Sequence, residues 1–144
     1  MNIQNLKIDQ IIEKLKEFFK SQKDVKLAYL FGSAAKGKVG KLSDIDIAVL
    51  LDERLSKKDH FHLELELIGR ITSLLKINTI DLVVMNESTI LMNFNIIKGI
   101  LLKGEDSVKI KVESGILSQY LDIKYHLQRF ARNTIDRIAM KGLM

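Results

Sequence analysis

A chain of 144 residues, 47% hydrophobic and 28% charged, has the composition of one globular domain, large enough for a core yet small for an enzyme that also binds a complex substrate. No apolar run reaches the eighteen or so residues of a membrane span, the N-terminus lacks the features of a signal peptide, and zero cysteines exclude disulfides and thiolate metal sites; a cytoplasmic location is expected. The net charge of +5 favours anionic partners such as nucleotides, nucleic acid or an acidic protein face.

Ile8, Ile11, Ile12, Leu15, Phe18 and Phe19 recur at helical spacing and predict an amphipathic helix to about Lys20. Val25 to Phe31 (VKLAYLF) reads as the first strand, ended by Gly32, with Ser33 placed to cap a short helical turn through Ala34 and Ala35. Backbone amides at such a turn point outward and bind anions. A basic, glycine-containing loop follows, carrying Lys36, Lys38 and Lys41, and Ile45 to Leu51 forms a second strand, apolar on both faces and hence central. Ser56 to Asp59 has the form of a capping box. It opens a helix to about Leu75 that would gather Phe61, Leu65, Ile68, Ile71 and Leu75 on one side, although Phe61 to Leu67 also alternates as a strand does.

Thr79 to Met85 (TIDLVVM) predicts a third strand with Asp81 inside it, Ser88 to Lys98 a helix, and Ile100 to Lys103 a short strand ended by Gly104. From Ser107 to Lys141 apolar residues at spacings of three and four predict one long helix, with Gly115 the place for a bend. Such a helix outruns the core of so small a domain, so part of it should meet a partner. It holds seven basic residues against three acidic ones, nearly the whole net charge. There is no internal repeat, low-complexity segment or linker.

The chemistry concentrates between Gly32 and Leu51. Asp44 and Asp46 lie two apart at the leading end of a strand and so aim their carboxylates to one face. Asp is depleted in strands, and paired carboxylates repel unless a proton or a cation sits between them. Oxygen-only ligands suit Mg²⁺ or Mn²⁺. The bland alternative for these aspartates and for Asp81 is strand-end solubility and capping; for Gly32 and Ser33 it is a plain strand-ending turn. His60 and His62, two apart on a helix, face different directions and make poor joint ligands. Tyr120 and Tyr125 read as core or interface aromatics. Arg129, Arg132 and Arg137 read as a wet helix face or as a dock for an acidic partner or the nucleotide.

Gly-Ser, ten intervening residues, Asp-x-Asp and a third Asp within a later apolar strand resemble the nucleotidyltransferase superfamily that includes DNA polymerase beta. More narrowly, the chain is similar to the minimal nucleotidyltransferases (MNT) that act as antitoxins beside HEPN-domain toxin ribonucleases. The match is specific over about Val25 to Met85 and looser at the tract YLDIKYHLQRF, Tyr120 to Phe130. The resemblance implies an α/β (α+β) nucleotidyltransferase fold in a single domain over 1–144, with a small mixed sheet flanked by helices. It implies that Asp44, Asp46 and Asp81 hold two Mg²⁺ ions and carry catalysis, and that Gly32, Ser33 and Lys36, a point charge where relatives often carry Arg, contact the phosphates of ATP.

The expected activity is transfer of AMP from ATP to a tyrosine hydroxyl of a cognate HEPN toxin, with release of pyrophosphate. Two rivals stay open: transfer to a small molecule of the aminoglycoside type, with a dimer forming the missing wall, and a non-catalytic antitoxin that masks its toxin through the long basic helix. A homodimer or hetero-oligomer suits the overlong helix. Direct nucleic-acid binding is disfavoured, because no stacking platform or dense basic run accompanies the charge.

Overall fold

The computed structural model describes residues 8–36 and 44–142. The elements run α1 (Ile8–Lys20), β1 (Val25–Phe31), α2 (Gly32–Ala35), β2 (Ile45–Leu51), α3 (Lys57–Leu75), β3 (Ile80–Val84), a 3₁₀ turn at Met85–Glu87, α4 (Ile90–Ile97), β4 (Ile100–Lys103) and α5 (Asp106–Gly142). Four strands form one mixed sheet in the order β3-β2-β1-β4, with β2 parallel to β3 and the other pairs antiparallel. The nearly unbroken apolar run of β2 is explained by its place inside the sheet, covered on both faces.

Alternation along the strands separates two cores. Ala28, Leu30, Ile47 and Val49 face α1 and α3, where they pack with Ile11, Leu15, Phe19, Leu67, Ile71 and Leu75. Leu27, Tyr29, Phe31 and Ala48 face the other way and pack with Ile96 of α4 and Ile116 of α5. The result is a three-layer arrangement of helices, sheet and helices.

α3 is helical as the capping box requires. The Ser56 hydroxyl accepts from the Asp59 N–H at 3.2 Å, and the Asp59 carboxylate accepts from the Ser56 N–H at 3.1 Å. Its buried face overlaps the expected one in part: Ile71 and Leu75 are buried and Ile68 packs half-buried against the core as expected, His60 and Leu67 are covered beside them, and Phe61 and Leu65 are 59% and 55% exposed. The buried stripe 60-67-71-75 is centred roughly a sixth of a turn from the expected 61-65-68-71-75, at 100° per residue, which leaves Phe61 and Leu65 outside it. Leucines and a phenylalanine flank both stripes, so apolar content alone could not choose between them.

α5 is continuous through Gly115, where nothing lies within 4 Å of an added Cβ. Its first third is seated: Val108 and Val112 pack against the second core, the Tyr29 hydroxyl donates to Glu113 Oε1 at 2.8 Å, and the Tyr120 ring stacks on Phe94 at 3.6 Å. Burial and the adjacent Glu113 carboxylate push the Tyr29 hydroxyl above the ordinary tyrosine range. Beyond Tyr120 the helix is exposed as far as Lys141 except at the half-buried Ile123 and Thr134.

Candidate active site

The site forms where β1 ends and β2 and β3 begin. Phe31, the last residue of β1, pairs with Asp46, and Asp46 pairs on its other side with Asp81 of β3 in parallel register. Cross-strand partners share a face, so Asp46 and Asp81 stand side by side on the face covered further along by α4 and α5. Asp44 precedes β2 by one residue and is exposed, as is Asp81, while Asp46 is half-buried.

Gly32 turns the chain out of β1 with φ +71°, a left-handed conformation that side chains rarely adopt. A second constraint coincides with the first. A Cβ on Gly32 would overlap Asp46 Oδ2 and stand 3.3 Å from its Cγ, so this glycine makes room for the carboxylate. α2 follows as a single turn, closed by the Lys36 N–H donating to the Ser33 carbonyl at 3.1 Å. The turn is present as expected, but Ser33 does not cap it: α2 begins at Gly32, no side chain caps its N-terminus, and Ser33 sits exposed within it. Lys36 is exposed at its end; Lys38 and Lys41 fall outside the described residues.

Three carboxylates at one sheet edge leave an electrostatic trace. The Asp46 carboxyl is pushed above the ordinary carboxylate range, first by burial and then by the charges of Asp81 and Asp44. Among the described residues no three carboxylate or imidazole groups close around a common centre. The donor set still fits a hard divalent cation, being oxygen-only, mutually repelling, and opened to solvent at Asp44 and Asp81. His60 and His62 take no part. His60 is buried with its Nδ1 3.4 Å from Glu87 Oε1 near the far end of β3, and His62 is exposed.

One positioning residue is not evident from sequence. The Asn86 side chain accepts from the Leu51 N–H at 2.8 Å and donates to the Leu51 carbonyl at 3.0 Å, behaving as one more backbone unit of β3. It pins the far end of the β2–β3 pair and so holds the register that sets Asp81 beside Asp46. An Asn directly after an apolar strand is the only trace of this in the sequence.

The family model "Polymerase beta, Nucleotidyltransferase" matches residues 13–108, the span from α1 to the start of α5. No protein with a curated description matches the sequence significantly. Several solved structures share the fold. A toxin–antitoxin with AMP-PNP is 23% identical with a TM-score of 0.67, over 86% of this chain and 98% of that one. A mutant MntA–HpeT toxin–antitoxin is 25% identical with a TM-score of 0.64, over 91% and 99%. A tri-AMPylated Shewanella oneidensis HEPN toxin in complex with MNT antitoxin gives 21% and 0.64, over 89% and 98%. With two thirds of the chain matched by the family model, and the strand-borne Asp46 and Asp81 beside Asp44 and a glycine turn at one end of the sheet, the protein belongs to the polymerase beta nucleotidyltransferase family.

Proposed function

We propose that the protein is the antitoxin of a toxin–antitoxin pair and transfers AMP from ATP to a tyrosine hydroxyl of a HEPN-domain toxin. The observation that carries the chemistry is the Phe31–Asp46–Asp81 register with Gly32 folded against Asp46. The choice of nucleotide and acceptor is supported by neighbours of the same fold, one with AMP-PNP and one holding a tri-AMPylated HEPN toxin.

Asp44, Asp46 and Asp81 would hold two Mg²⁺ ions, for which Mn²⁺ can substitute; when bound, these neutralise the triphosphate and acidify the attacking hydroxyl. The chain's own residues do the rest. The Gly32 amide and the Ser33 hydroxyl hold the outer phosphates, with the Lys36 ammonium as a point charge beside them. The acceptor oxygen attacks the α-phosphorus in line, the bond to the β-phosphate bridging oxygen breaks, and pyrophosphate departs with that electron pair. Asp81, exposed at the edge, takes the hydroxyl proton. The raised proton affinity of Asp46 means that it must ionise before it can serve as a ligand, so activity falls towards acid.

Incubating the protein with a HEPN-domain partner, α-labelled ATP and Mg²⁺ tests the reading. Label is expected on the partner's tyrosine, lost with EDTA and lost in Asp44→Asn with Asp46→Asn. Toxin neutralised equally well by that double variant, with no label transferred, would overturn it.

A further inference from the structure

Phe94 of α4 carries a different occupant on each face of its ring. On one side the Tyr120 ring of α5 is superposed on it, with centroids 3.6 Å apart and planes inclined by 3°. Because Tyr120 fills that side, the Lys98 ammonium, 4.4 Å from the Phe94 centroid, lies over the other. Phe94 and Tyr120 are half-buried and Lys98 is exposed. Packing of α4 on α5 accounts for the Tyr120 face; the opposite face is flat, aromatic and covered only by a mobile-stemmed cation.

This pile stands at the catalytic end of the sheet. α4 passes into β4 through Gly99, where a Cβ would overlap the Leu30 carbonyl, and Ile100 pairs with Leu30, two residues before the Gly32 turn. α5 converges on the same end: Glu113 meets Tyr29, and Ile116, one helical turn before Tyr120, belongs to the apolar cluster that holds Phe31 and Phe94. Phe31 is the cross-strand partner of Asp46 and shares its face. Phe94 and Tyr120 therefore flank the carboxylates on the helix-covered side of the sheet, while the Gly32 turn closes its end.

A nucleoside triphosphate held by its phosphates at that turn has its base left to place, and a flat ring face is what a base stacks on, whatever its sequence of ring substituents. Magnitudes decide which occupant prevails. An exposed ammonium over a ring contributes a factor of about 2–5 in affinity, whereas a base on a ring contributes about 5–150. The base displaces the cation. On its four-carbon stem the released ammonium can turn to the triphosphate, where a full negative charge replaces the weak field of a neutral ring.

We propose that the outer face of Phe94, backed by Tyr120, is the stacking surface for the purine base of the nucleoside triphosphate, and that Lys98 leaves this face on binding to pair with the phosphates. The proposal rests on the nucleotidyl-transfer reading of the Asp44–Asp46–Asp81 edge and is tested by binding alone, apart from transfer. 2-Aminopurine riboside triphosphate, titrated with Mg²⁺ into the full chain, should lose emission as its ring stacks. Phe94→Leu should abolish this quenching and weaken Mg²⁺–ATP about 10-fold or more, with Mg²⁺–tripolyphosphate binding unchanged. Lys98→Met, at an exposed position, should keep the quenching and weaken Mg²⁺–tripolyphosphate severalfold.

A bound probe with unchanged emission, or quenching that survives Phe94→Leu, would overturn the stacking surface and leave the transfer reading standing. Tripolyphosphate binding unaltered by Lys98→Met would overturn the movement of Lys98. Should Phe94→Leu fail to fold, the Phe94 and Tyr120 ring resonances of the unmutated chain decide: they should shift with Mg²⁺–ATP and not with Mg²⁺–tripolyphosphate, and equal shifts with both would overturn the proposal. Quenching as expected, with no label passed to a HEPN-domain partner, would uphold the surface and overturn transfer to protein. No uptake of the probe by the unmutated chain would overturn both.

Discussion

The sharpest expectation concerns Gly32→Ala. Left-handed backbone costs a residue with a Cβ about 1–2 kcal/mol. The new methyl would also displace the Asp46 carboxylate, whose Cγ lies 3.3 Å from the Cβ position, at about 0.5–1.5 kcal/mol for an off-rotamer side chain. Together these give about 1.5–3.5 kcal/mol, or a melting temperature lower by roughly 5–11 °C for a domain of this size, which a protein with ordinary stability survives. The atom that must yield is the free end of a side chain, so the fold relaxes at the expense of the carboxylate. Moving it by about 1 Å should reduce transfer about 100-fold. Calorimetry and labelled-ATP transfer on the same preparation measure both effects. Gly69→Ala is the internal control, lying mid-helix with nothing within 4 Å of its Cβ position, and it should stabilise by about 0.5–1 kcal/mol. A Gly32→Ala protein that transfers normally, or that does not fold at all, would refute the close-approach argument.

Three more outcomes follow from the charges and bonds described. Because the Asp46 pKa is raised in the folded state, its contribution to stability is present in acid and lost as pH rises through that value. Asp46→Asn should therefore melt above the unmutated chain at pH 7, with the gap closing towards acid, and should lose transfer. Asp52 is the opposite case. Hydrogen bonds from the Arg54 side chain and N–H, with the Arg54 and Lys26 charges, hold its carboxyl well below the usual range. Asp52→Asn should lower the melting temperature at neutral pH, and the deficit should vanish as the pH falls below the ordinary aspartate range. Asn86→Ala removes both bonds to Leu51, and at about 1–3 kcal/mol for stranding such groups it should lower urea midpoints and slow transfer, although Asn86 lies at the opposite end of the strands from the site. An unaffected transfer rate would show that the register holds without it.

Much of this was readable in the chain because local pattern and tertiary role coincide. VKLAYLF and IDIAVLL are strands in both sequence and structure, with Asp46 inside β2 and Asp44 one residue before it. The Ser56–Asp59 box settled the helix against the alternating pattern of Phe61 to Leu67, since two reciprocal bonds fix the first turn before any packing is chosen. What local pattern could not supply was rotation and distance. Choosing Leu67 over Leu65 as the buried leucine depends on where the sheet lies, and the pairing of Asp46 with Asp81 depends on a parallel register that no turn connects. The clash at Gly32 was invisible for the same reason. A glycine after a strand announces a turn, but only the neighbouring strand shows that its missing methyl leaves room for an acid.

The parallel pairing of β2 with β3 has an implication for how the protein matures. Asp46 and Asp81 are neighbours only after α3 has crossed back over the sheet, so no local hairpin brings the two acids side by side. On the proposed reading, the site for nucleotidyl transfer would therefore be completed only with the crossover through α3.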